Sequence, residues 1–255
     1  MLELGGLCVF AFFAGFIDSM VGGGGLIQLP ALFIFCPNTP ITALFATNKF
    51  SSTSGTAAAT IRFLKEVKLD WQAVTPAAII AFIFSVIGAI TVSLINSEVL
   101  RPLILILLIV VGIYTFTIKD FGSEYQPKYQ GNKVIYYMIL IAAAIGFYDG
   151  FFGPGTGSFL IFLLIVVLGF DFIQASAIAK IINFSGNIAA LIYFASINQI
   201  LYNIAIPMAL CNAIGGIFGA KMAIDKGNAF VRVLFLVVVS VLILVLPIPL
   251  WRFNT

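Results

Sequence analysis

Histidine is missing from all 255 residues, which excludes His-ligated metal centres and His-based catalytic triads. Charge is scarce as well. Asp, Glu, Lys and Arg make up 9% of the chain, against about 25% in an ordinary soluble domain. No stretch is long and polar enough to fold as a separate soluble domain. The 13 basic residues exceed the 10 acidic ones by too little to suggest a nucleic-acid partner. Cysteine occurs three times, at Cys8, Cys36 and Cys211, each in apolar surroundings and without metal-type spacing. These read as small core residues. No Lys or Arg precedes the first apolar run, which holds only Glu3. The basic n-region of a secretory signal is therefore lacking, and the run reads as a retained first span. A Gly-x4-Gly-Lys-Ser/Thr loop does not occur, so ATP drive would need another subunit, and no cofactor is expected.

What is present is apolar. The chain is 62% hydrophobic with a mean hydropathy of +1.15. Apolar runs of about 20 residues, the length that crosses a bilayer, fill nearly the whole sequence. The lipid bilayer is thus the first partner. The runs cover residues 4–35, 41–64, 71–95, 99–118, 134–168, 172–196, 201–222 and 229–246. Residues 4–35 would reach about 48 Å as one helix, well beyond one span of roughly 30 Å. With the glycines at 22–25 and Pro30, this run is expected to break into a longer and a shorter piece.

The break recurs. Gly15-Phe16-Ile17-Asp18-Ser19-Met20-Val21-Gly22-Gly23-Gly24-Gly25 is matched by Gly146-Phe147-Tyr148-Asp149-Gly150-Phe151-Phe152-Gly153-Pro154-Gly155-Thr156-Gly157. A shift of 131 residues, the separation of Lys49 and Lys180, lays the second half on the first without a gap. Ala46, Ser54, Gly55, Ala58 and Ala59 fall on Ala177, Ser185, Gly186, Ala189 and Ala190. Pro76, Gly88 and Arg101 fall on Pro207, Gly219 and Arg232. Duplication of this kind is the build plan of many secondary transporters. It divides the chain into a first repeat over 1–118, a polar linker over 119–133 and a second repeat over 134–255.

Equivalent loops carry opposite charge. The loop at 62–70 holds Arg62, Lys65 and Lys68, while its mate at 193–201 holds no basic residue. Cytoplasmic loops are the basic ones, so equivalent loops belong on opposite faces. If each broken segment enters and returns on one face, the repeats are inverted. Arg62, Lys65, Lys68, Lys119, Lys128, Lys133, Lys221, Lys226 and Arg232 then share one face, and only Arg101 and Arg252 lie on the other. The expected fold is an all-α integral membrane protein of two four-span repeats in inverted topology. The first segment of each is broken at a glycine cluster, and both termini lie outside.

Lys49 and Lys180 are the leading candidate site residues. Each sits about eight residues inside its span, where a lysine costs roughly 2.5–3.5 kcal/mol on insertion scales. A matched pair points to a cationic midplane site for a small anion, since the ammonium is a compact charge with three donors. The bland alternative is that the lysines snorkel, or pair with Asp18 and Asp149. Those aspartates are in turn either structural partners of the lysines or proton carriers. The glycines Gly22, Gly24, Gly25, Gly153, Gly155 and Gly157 open the helices. The amides of the second halves, with their helix dipoles, then favour an anion. Gln28, Asn48, Thr156 and Ser158 stand near enough to add donors. Close helix packing is the alternative use of these glycines.

At these motifs the chain resembles the TauE/SafE family of sulfite-exporter-like permeases. The residues that carry the resemblance are the Gly15–Gly25 motif with Pro30, the Thr47-Asn48-Lys49 triplet, and the second motif through Gly153-Pro154-Gly155-Thr156-Gly157-Ser158. The resemblance covers almost the whole chain. It implies a duplicated permease of a bacterial inner membrane that moves small anions such as sulfite or an organosulfonate by alternating access. Whether such a permease forms homo-oligomers is left open. The rival readings are an anion channel on the same lysines and an intramembrane enzyme. The enzyme would use Ser52 with Lys49, but the second repeat has Asn183 where Ser52 stands, so the lysine is the symmetric feature.

Overall fold

The structure, a computed structural model, describes residues 2–95 and 126–245. The expected span at 99–118, the first part of the linker and the chain beyond 245 lie outside these residues. The described chain is helical and holds no strand. In order, α1 is Leu2–Val21, α2 Gly25–Phe35, α3 Ile41–Glu66 and α4 Trp71–Leu94. Next come α5, Asn132–Phe151, and α6, Thr156–Leu163, which runs on as a π-turn over Leu164–Leu168. The last are α7, Phe172–Ser196, and α8, Tyr202–Val245.

Five described helices are long and apolar enough to cross a membrane: Glu3–Val21, Trp71–Leu94, Asn132–Phe151, Phe172–Ser196 and Tyr202–Val231. The protein is an all-α membrane protein. Helix α3 has the length but not the hydropathy, because its middle carries Thr47, Asn48, Lys49, Ser51 and Thr56, all buried. Its polarity faces protein rather than lipid.

Both glycine clusters close hairpins. The chain reverses at Gly22 and Gly23, with φ of +76° and +84°, a conformation open to glycine and costly for other residues. Helix α2 then runs back along α1, so that Phe35 packs against Gly6 and its ring lies 6.2 Å from that of Phe10. Pro30 takes no part in the break and sits inside α2. Its fixed φ suits a helix, and the lost amide bond and the ring's crowding of the preceding turn are tolerated without breaking it. The second hairpin turns at Gly153 and Gly155 and returns to the start of α5, where Gln126 N donates to Gly169 O at 2.9 Å.

The ends of the bundle follow from these reversals. At one end Thr42 Oγ1 donates to Gln199 Oε1 at 2.9 Å, and Ser93 bonds the Tyr193 hydroxyl. At the other, Lys128 N donates to Leu168 O at 3.2 Å and Ile173 N to Asn228 Oδ1 at 2.9 Å. Among the described side chains outside the core, the cations Arg62, Lys65, Lys68, Lys128, Lys133, Lys221 and Lys226 all lie toward this second end. The stretch between the apolar runs at 201–222 and 229–246 is helical on both sides of Gly227, whose φ of +74° makes the turn there. The segment between Ala220 and Asp225 favours helix, so one glycine suffices to redirect the chain.

The halves interlock. Helix α1 packs along α8, and its mate α5 packs along α4. The approach is too close for side chains. A methyl at Gly88 would stand 2.2 Å from Phe147 O, and one at the equivalent Gly219 would stand 2.1 Å from Phe16 O. Small residues allow such contact in lipid, where packing rather than water drives association. Gly88→Leu and Gly219→Leu should each lower stability by about 1–3 kcal/mol through overpacking. Gly5→Ala, in open space, should be neutral or stabilising by up to about 1 kcal/mol. Thermal unfolding of the purified variants in one detergent checks both.

Candidate substrate site

The hairpin tips meet at the centre of the bundle. Gly22 lies against the backbone of Gly157 and Ser158, and Ser158 Oγ donates to Val21 O at 3.0 Å. Helices α3 and α7 cross beside the tips and deliver the two lysines from opposite sides. Lys49 Nζ stands 2.7 Å from Asp149 Oδ1, both side chains being 5% exposed or less. It also donates to Asn187 Oδ1 at 2.9 Å. Lys180, with no exposure, lies 2.7 Å from Asp18 Oδ2 and donates as well to the Asp18 main-chain oxygen. Each ion pair thus joins one repeat to the other, and together they cancel in charge.

Between the pairs is a cavity of about 20 Å³ lined by Asp18, Lys49, Asp149, Asn183, Asn187 and Thr156, with Asn48, Ser52, Thr56, Gly25, Gly153, Gly155 and Gly157. A cavity needs roughly 10–15 Å³ to admit one water, so this one has room for about a single water and no more. It is nevertheless under-bonded. Asn48 Oδ1, Asn183 Oδ1 and Asp149 Oδ2 are buried without a hydrogen-bond partner. Thr156 stands beside Asp149, but its hydroxyl proton goes to Gly153 O at 2.6 Å.

Of the residues singled out in the sequence, Lys49, Asn48, Asp18, Asp149, Gly25, Gly153, Gly155, Thr156 and Gly157 line the cavity. Gly22 and Gly24 sit at the tip of the first hairpin, next to it. Lys180 is behind Asp18 and Gly157 and does not line it. Gln28 points away and accepts from Asn212 Nδ2 at 2.7 Å, and Ser158 is committed to Val21. Asn183 and Asn187, within two turns of Lys180, both face the cavity as well. The signal for them was their position, since they replace Ser52 and Thr56 in the second repeat.

A polar cavity lined by the Lys49–Asp149 ion pair and by Asp18, where two glycine-broken hairpins meet inside a helical membrane body, has the character of a membrane transport protein. The chain matches the family described as Sulfite exporter TauE/SafE over residues 7–246 and belongs to that family. It is 34% identical over 243 residues to "Probable membrane transporter protein YfcA" of Escherichia coli K12, covering 94% of this chain and 88% of that protein. A "Probable membrane transporter protein" of Haemophilus influenzae is 32% identical over 225 residues, with 88% and 86% covered. "Probable membrane transporter protein ORF9" of Sinorhizobium is 32% identical over 235 residues, with 92% and 88% covered. No solved structure gives a significant match. The chain is therefore a membrane transporter of the TauE/SafE family, and the relatives bear the names of transporters rather than enzymes.

Removing one partner of a buried ion pair costs about 3–5 kcal/mol, whereas replacing both is often neutral. Lys180→Met should therefore destabilise strongly, and Lys180→Met with Asp18→Asn should recover most of the loss. Chemical or thermal unfolding of the single and double variants measures the difference.

Proposed function

We propose that this protein is a secondary transporter of a small anion, with sulfite or an organosulfonate as the leading candidates, working by alternating access around the central cavity. The observation that carries the reading is the meeting of two glycine-broken hairpins at a cavity holding the Lys49 ammonium and its Asp149 partner. Half-helix ends pointed at a midplane site are the recurring transporter solution for binding ions in lipid. The anion sits against Lys49 and the amides at the tip, in a space too small to hold it in this state. The family's description as sulfite exporters adds the substrate class. A channel would need an open path at this point, and the tip contact between Gly22 and Gly157 argues against one.

The scaffold in this reading is two inverted repeats, residues 1–118 and 134–255, joined by the linker at 119–133. Support comes from the reversal of both hairpins, from the reciprocal packing of α1 on α8 and α5 on α4, and from the gathering of described cations at one end. That end is cytoplasmic by the positive-inside rule. In a background with Cys8, Cys36 and Cys211 replaced by Ser, Lys68→Cys should resist a membrane-impermeant thiol reagent added to intact cells, and Gln199→Cys should react. Reaction of both from outside excludes this orientation.

A monoanion entering a site of zero net charge leaves an unpaired charge in a poorly solvated interior, which is costly. Entry with a proton removes the cost. The charged groups facing one another there are Lys49, Asp149 and Asp18, with Lys180 behind Asp18. Reconstituted protein should take up labelled sulfite saturably, and an inward proton gradient should raise the rate. Lys49→Gln with Asp149→Asn should reduce uptake to background in folded protein. Unchanged uptake by this double variant would remove the cavity from the transport path.

A further inference from the structure

The two ion pairs are equivalent in the repeat but are built differently, and this inference rests on the anion reading above. Asp18 is fully engaged. Its Oδ2 holds Lys180, its main-chain oxygen accepts from the same ammonium, and its Oδ1 accepts from Gly24 N at 3.1 Å. The N-terminus of α2 is thus sealed by a carboxylate of its own hairpin. Asp149 makes no equivalent bond to Gly155. Its Oδ1 holds Lys49, and its Oδ2 has no hydrogen-bond partner.

The difference traces to one residue. Gly24 and Gly155 are mates and both cap the second helix of their hairpin, but Gly24 has φ −54° and Gly155 has φ +87°. In the first hairpin Gly23 takes a positive φ, +84°. Its mate is Pro154, whose ring fixes φ near −65°. The left-handed step moves one residue on, to Gly155. That residue then no longer presents its amide to Asp149 as Gly24 does to Asp18. Gly155, Thr156 and Gly157, the first turn of α6, face the cavity instead, together with Lys49. Asn48 and Asn183, 5% and 6% exposed, bring buried carboxamide oxygens without partners to the same space, acceptors for the O–H of a protonated anion such as bisulfite. Lys180 does not reach it.

We propose that the anion is taken by Lys49 and the open N-terminus of α6, displacing Asp149 from the ammonium, while Lys180 and Asp18 form a latch that keeps the first hairpin folded, its ammonium outside the cavity. Asp149 is then a resident competitor for the site, and Asp18 is a positioning residue. The two aspartates, indistinguishable in the repeat, have opposite consequences when neutralised. A neutral bond is roughly half as strong as a charge-assisted one, so Asp149→Asn should tighten sulfite binding about tenfold. Asp18→Asn should not tighten sulfite binding but should speed amide hydrogen exchange over residues 22–28, where the Gly24 bond is lost.

The test titrates purified full-length protein in detergent with sodium sulfite, methanesulfonate and acetate, and measures exchange on the same samples. Tightening confined to Asp149→Asn, with faster exchange confined to Asp18→Asn, is the expected result. Equal tightening by both, or tightening by Asp18→Asn alone, overturns the assignment. So does unchanged exchange in Asp18→Asn. Asn183→Ala, outside both pairs, should weaken sulfite binding about tenfold by losing the acceptor for the O–H of bisulfite, and it carries the test should Asp149→Asn misfold; unchanged affinity there also overturns the assignment. If the parent protein binds none of the three anions, the anion reading itself fails and takes the assignment with it. If the parent binds but the aspartates behave alike, only the assignment fails.

Discussion

Two ammonium groups held away from water must be matched by two carboxylates, and the rest of the structure follows from where those carboxylates can come from. Neither lysine is paired within its own half. Lys49 reaches Asp149 and Lys180 reaches Asp18, so neither half can neutralise itself. The acids stand one turn before the glycine reversals, and the lysines stand on helices that cross beside them. The reversals must therefore lie at the depth of the lysines, near the middle of the bundle. A hairpin that turns there exposes backbone groups, and in lipid these need protein partners. Asp18 supplies one at Gly24, and Ser158 supplies another at Val21.

The same demand shapes the helix contacts. For the tips to touch, α1 and α5 must come within backbone distance of the helices that flank them. Gly15 lies against the Asn212 carbonyl and its mate Gly146 against Ala81, which occupies the position equivalent to Asn212. The small residues in the sequence thus serve two purposes. Those at 22, 23, 153 and 155 turn the chain, and the helical ones let it pack. The polar middle of α3 has a counterpart in α7, and the two helices bury it against each other instead of showing it to lipid.

Much of this was legible in the sequence because rare residues in an apolar background carry information. The matched Asp, Lys and glycine positions located the hairpin tips, and the excess length of the first run required a break. Pro30 misled, because proline disrupts a helix only where its missing amide or its ring matters. The cavity lining was less legible. Gln28 and Ser158 have the right chemistry and depth but serve neighbouring backbone and side chains. A helix periodicity locates the face of a side chain but not its rotamer. Burial of Lys180 behind Gly157 was equally out of reach, since it depends on how the tips lean, which Pro154 decides through a shift of one residue in the left-handed step. The sequence also left open whether the acids pair with the lysines or carry protons, because both uses place a carboxylate at the same depth.

The interlocked packing of α1 on α8 constrains how the protein is made. Ribosomal synthesis proceeds at about 5–20 residues per second, and nearly two hundred residues separate Gly15 from the helix it packs against. The first hairpin therefore waits on the order of ten seconds or more in the bilayer, with Asp18 lacking Lys180 and a groove of bare backbone lacking its cover. During that interval it is a natural client for an insertase or a membrane chaperone, and a natural substrate for quality-control proteolysis. Since α5 is followed in the chain by helices that close on α4, already made, the second hairpin has no such wait. Assembly is thus completed by the last described helix, and a truncation before it would strand the first.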